Sequence, residues 1–97
     1  ASLVNEKALF SFSEKIELGS FLLLGKGEER NGGRTRASLN SDAFEALIAA
    51  IYLDSGIDEA RNFVLPFVKD LALHATGADL HDYKTQLQEI IQQYAKE

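Results

Sequence analysis

Between Ala43 and Leu53 the chain sets Ala43, Phe44, Ala46, Leu47, Ile48, Ala49, Ala50, Ile51 and Leu53 around nearly every side of a helical wheel, interrupted only by Glu45 among charges. A helix apolar on so many sides has no face to offer water, so other elements must pack around it. The stretch is too short for a bilayer, which takes about 20 apolar residues. It therefore predicts the central helix of a small helical protein. Either Asn40 or Ser41 can cap its start, and Asp54-Ser55-Gly56 supplies the stop. Its alanines admit close neighbours.

The other segments supply such neighbours. Asn5 is placed to cap a first helix in which Leu9, Phe12 and Ile16 repeat at helical spacing, with Gly19 positioned as the residue that ends it. Phe21-Leu22-Leu23-Leu24 reads as a buried extended or single-turn link. Asp58 is expected to cap a helix whose Ala60, Phe63, Val64, Phe67, Val68 and Leu71 form a stripe, with a kink or break at Pro66. After a link over Ala75–Leu80, Asp82 heads a last amphipathic helix, with Tyr83, Leu87, Ile90, Ile91 and Tyr94 on its apolar face. The expected class is all-α: a helical bundle with a glycine-rich basic loop and a separate C-terminal amphipathic helix.

Composition narrows the chemistry. Ninety-seven residues hold one small core. The absence of cysteine excludes disulfides, thiolate metal sites and a cysteine nucleophile, and fits a cytoplasmic setting. No secretory or membrane address is visible. The lack of methionine reads as a chain that is a piece of a longer one. The net charge is −5, yet Gly25–Arg36 holds Lys26, Arg30, Arg34 and Arg36 against Glu28 and Glu29, a local +2.

Two features bear on function. Asp42 and Glu45, three apart on the central helix, share one face about 5 to 6 Å apart. Hard oxygen donors of this kind suit Mg²⁺ or Mn²⁺, which take one or two carboxylates and keep waters. The alternative is that both lie in the first helical turns, stabilised by the helix dipole and open to solvent. The basic loop lacks the Gly-Lys-Ser/Thr of a nucleotide phosphate loop. Its cations fit sequence-independent contact with a polyanion backbone, or else a solvated loop with internal Glu–Arg pairs. His74 and His81 lack the spacing of a two-histidine helix site, and Ser38, Ser41 and Ser55 read as caps and turns.

Three segments in order then resemble one family. Leu22-Leu23-Leu24-Gly25-Lys26-Gly27-Glu28-Glu29 with Gly32-Gly33-Arg34, then Ser41-Asp42-Ala43-Phe44-Glu45-Ala46-Leu47 continuing to Asp54, then Asp82-Tyr83-Lys84-Thr85-x-Leu87-Gln88-Glu89, closely resemble bacterial ribonuclease III. Leu3-Val4-Asn5-Glu6-Lys7-Ala8-Leu9 also fits the helix that precedes the loop.

The resemblance implies an endonuclease that cleaves double-stranded RNA in rRNA and mRNA processing, with an all-helical domain that dimerises. Asp42 and Glu45 would be its catalytic and Mg²⁺-holding residues, with Mn²⁺ a possible substitute. Thr85, Gln88 and Glu89 match family positions that touch RNA, beside the loop cations Lys26, Arg30, Arg34 and Arg36. On this basis residues 1–75 are the C-terminal portion of the endonuclease domain, 76–81 a linker, and 82–97 the first helix of a double-stranded-RNA-binding domain.

The family's upstream signature, approximately Asn-Glu-x-Leu-Glu-Phe-Leu-Gly-Asp, is absent, so weak activity or none is expected without it. Leu39-Asn40-Ser41 replaces a more apolar stretch and reads as an altered cap. The competing reading is a non-catalytic helical module that binds RNA or pairs with another subunit.

Overall fold

The computed structural model describes residues 4–74 together with 84–85, 88–89 and 91–92. Four α-helices carry most of the described chain: α1 (Glu6–Lys15), α2 (Lys26–Arg30), α3 (Ala37–Ser55) and α4 (Ile57–Leu73). Short 3-10 turns at Leu18–Phe21 and Gly33–Thr35 flank α2, and no strand occurs among the described residues. The all-α expectation holds. No helix among them is long and apolar enough to cross a membrane. The chain divides into two compact units, Asn5–Ala46 and a second formed by residues 1–4 with 47–97.

In the first unit Asn5 caps α1 as expected, its side-chain oxygen accepting from the Ala8 amide at 3.0 Å. Ala8, Leu9, Phe12 and Phe44 are buried, and the Phe12 and Phe44 rings meet edge to face with centroids 5.6 Å apart. Such a pair adds about 0.5–1.5 kcal/mol to what burial alone supplies.

Three details of this unit depart from the sequence reading. Helix α1 ends at Lys15, and it is Glu17, with φ of 54°, that takes the left-handed conformation. Gly19 serves a different end. A Cβ there would lie 2.5 Å from the carbonyl oxygen of Arg34 and 3.0 Å from Asn40 Oδ1, so glycine is needed for close approach, not for its dihedral angles. The expected buried link is buried on one side only: Phe21 and Leu23 are exposed, while Leu22 and Leu24 are half-buried. The chain leaves the 3-10 turn extended at Leu22 (ψ 135°), and extended backbone sends successive side chains to opposite sides.

In the second unit Ile48, Ala60, Val64, Val68 and Ile91 are fully or almost fully buried, each large aliphatic side chain contributing about 1.5–3 kcal/mol. Gly56, with φ of 91°, separates α3 from α4 and caps α4, with Asp58 following in the first turn instead of acting as cap. Helix α4 runs through Pro66 without a break. Asn62 and Pro66 are both exposed, so the Asn62 carbonyl left without an amide partner sits on the wet side of the helix. The expectations on 75–83, including the linker, Asp82 and Tyr83, and on Leu87, Ile90 and Tyr94, lie outside the described residues.

Candidate functional site

Helix α3 begins at Ala37, a full turn before the caps read from the sequence. The reason is a polar lock that employs Asn40 inside the fold. Its Nδ2 donates to the carbonyl oxygens of Arg34 and Arg36, both at 2.9 Å, and its Oδ1 accepts from the Ser13 hydroxyl at 2.8 Å. Ser13, Asn40 and Ser41 are buried, and no buried side-chain nitrogen or oxygen among the described residues lacks a partner. An amide fully occupied in this way cannot also cap a helix of which it is already an interior residue.

The same lock absorbs part of the basic loop. Arg34 Nη1 donates to the carbonyls of Gly19 and Leu22, both at 2.9 Å, while its Nε and Nη2 pair with the Glu29 carboxylate. Arg36 pairs with Glu28. Lys26 and Arg30 are exposed, with no hydrogen bond or ion pair from either side chain among the described residues. Of the four loop cations, then, two brace the loop and two face water. The loop also holds more structure than expected, since α2 and a 3-10 turn lie within it.

Asp42 and Glu45 follow directly. Asp42 is exposed and Glu45 half-buried, so the carboxylates sit at the edge of the apolar helix and not in its packed interior. Asp42 is the sixth residue of α3, with no acidic residue in the helix's first turn, so the helix dipole, whose effect fades within that turn, does not account for the pair. Among the described residues no group of three or more His, Cys, Asp or Glu is arranged to hold a metal ion. Two carboxylates three residues apart fit a hard octahedral cation that keeps several waters. They do not fit a closed, all-protein cage.

The remaining candidates belong to the second unit. Thr85 and Glu89 are exposed, and Gln88 is half-buried, its Oε1 accepting from Arg61 Nη2 at 2.6 Å. His74 is exposed at the end of α4 beside Asp70, and His81 lies outside the described residues. The sequence reading missed Ser13 and the architectural use of Asn40. A signal was present: Asn40, Phe44 and Ile48 are spaced four apart and all are buried, as are Leu9 and Ser13.

Residues 1–71 match the family model described as Ribonuclease-III-like. Across its full length the chain is 45% identical to the "Ribonuclease 3" of Syntrophomonas wolfei, covering 42% of that protein. It is 50% identical over 93 residues to that of Clostridium tetani (95% of this chain, 40% of the relative) and 47% identical over 100 residues to that of Staphylococcus carnosus (99% and 40%). The chain thus spans about two fifths of the length of the curated relatives it matches. No solved structure matches it.

Proposed function

Because the chain belongs to the ribonuclease-III-like family, we propose that it supplies the Asp42/Glu45 part of the active site of a Mg²⁺-dependent endonuclease acting on double-stranded RNA. The observation that carries the reading is the placement of two carboxylates at the rim of an otherwise apolar helix, where neither the dipole nor an internal partner accounts for Asp42. Asp42 and Glu45 would hold the ion, with Mn²⁺ a possible substitute. When bound, it supplies Lewis-acid stabilisation of charge on the scissile phosphate and a readily ionised water.

The chain's own side chains handle position. The Arg34 and Asn40 lock fixes the start of α3 and with it the direction of both carboxylates. Lys26 and Arg30 reach the phosphate backbone, a contact without sequence preference. Thr85, Gln88 and Glu89 offer hydroxyl, amide and carboxylate groups suited to 2′-hydroxyl contacts in an RNA minor groove. On the same reading residues 1–75 belong to the endonuclease domain, 76–81 link, and 82–97 open an RNA-binding domain. The enzyme assembles as a homodimer in the cytoplasm and processes rRNA and mRNA.

Cleavage of a labelled RNA duplex tests this, using the chain alone and mixed with a polypeptide covering the rest of the relatives' length, with Mg²⁺ or a chelator. Cleavage that requires Mg²⁺ and falls about 100-fold or more in Asp42→Asn or Glu45→Gln, a loss of roughly 3 kcal/mol in transition-state stabilisation, is the expected result. Duplex binding without cleavage under every condition would establish the non-catalytic module instead.

A further inference from the structure

We propose that the second unit carries a phosphate-binding site of its own, formed by Arg61, Lys84 and Gln88. It shares Gln88 with the RNA contacts proposed above, adds Arg61 and Lys84, to which no role was given, and requires neither Asp42 nor Glu45. Among the described residues, a cavity of about 330 Å³ is lined by Arg61 and Leu65 of α4 together with Lys84 and Gln88. Ile91, seven residues on from Lys84, is fully buried. Lys84 and Gln88 are both helical and four apart, so they share a face.

The hydrogen bonding settles what this cavity presents. Arginine has donors only, so the 2.6 Å contact from Arg61 Nη2 fixes the Gln88 amide with its oxygen toward Arg61 and its NH₂ left to donate. Arg61 also pairs with Asp58 at 3.1 Å, but the Asp58 side chain is 84% exposed. Solvent screens such a pair, and further N–H groups of the guanidinium stay available. Lys84 is exposed, and its ammonium makes no ion pair among the described residues. Guanidinium, ammonium and amide NH₂ are therefore the polar groups that the described lining residues bring to one cavity, in a chain whose net charge is −5. A group made of acceptor oxygens and carrying negative charge satisfies all three, and phosphate is that group. Its source is either a phosphodiester of an RNA backbone or a free phosphate or nucleotide.

Titration of the labelled full chain with inorganic phosphate, followed by the NMR signals of the Arg61 and Gln88 side chains, provides the test. Expected is saturable movement of both signals in the millimolar range, weakened about tenfold in Arg61→Gln and in Lys84→Gln. Lys26→Gln in the other unit should leave it unchanged. Lys84 is exposed, so Lys84→Gln keeps the fold, which the unaltered remainder of the spectrum verifies. Competition of a short RNA duplex with phosphate at these signals identifies the backbone as the source; phosphate binding indifferent to duplex identifies the free ion or a nucleotide. Absence of saturable movement up to ~10 mM phosphate, or movement equally strong in both variants, overturns the proposal.

Discussion

Asn40 and Asp42 stand two residues apart on α3 and are used in opposite ways. Asn40 is 3% exposed and spends its amide on three partners inside the fold, whereas Asp42 is turned out to solvent. The basic loop repeats the contrast: Arg34 and Arg36 are tied to Glu29 and Glu28, while Lys26 and Arg30 are left exposed. Polar groups that the fold consumes internally make geometry. Those it leaves at the surface, held on that geometry, are the ones available to a ligand. The two kinds are indistinguishable by residue type or by local charge, and only the list of partners separates them.

This contrast predicts a graded series. Asn40→Ala takes the side-chain partner from the Arg34 carbonyl and the Ser13 hydroxyl, while the Arg36 carbonyl keeps the residue-40 backbone amide at 3.1 Å, and should lower stability by about 2–3 kcal/mol, read from urea denaturation. A loss under ~0.5 kcal/mol would mean that water replaces the amide and that the lock is no lock. Gly19→Ala forces a methyl group against the Arg34 carbonyl and should remove roughly 1–3 kcal/mol in the same assay. Arg34→Lys keeps the charge but loses the planar fork that spans two carbonyls and a carboxylate. A smaller loss of about 1 kcal/mol is expected, and it should persist at high salt because the carbonyl bonds are not ionic pairs. Asp42→Asn closes the series with a change within ~0.5 kcal/mol, since the side chain is exposed. Were Asp42→Asn as damaging to stability as Asn40→Ala, the division into internal and outward polar groups would collapse.

Much of the fold could be read in advance because helical periodicity is a local property. Leu9 and Phe12 announce α1, the apolar wheel announces α3, and Ala60, Val64 and Val68 announce α4. The carboxylate pair was equally visible, since charge in such a helix stands out. What escaped depended on partners distant in sequence. Asn40 has good local credentials as a cap, and only Ser13, 27 residues away, together with the Arg34 and Arg36 carbonyls, turns it into an interior residue. Gly19 likewise looks like a helix terminator until the Arg34 carbonyl is found against it. Leu23 looks like core and is fully exposed, because an apolar run states how much can be buried and not which side is.

The Ser13–Asn40 bond also carries a consequence for the order of assembly. Its two ends meet only after the intervening chain has closed, a step opposed by loop entropy and made favourable by contacts that α1 brings with it. Cut free of α1, a peptide of residues 37–55 would regain Asn40 as a cap. Its helix would start a turn later, placing Asp42 in the first turn under the field of the amide dipoles. The surroundings of that carboxylate are therefore a product of tertiary folding, and a peptide copy of the most recognisable stretch of the sequence would present a chemically different aspartate.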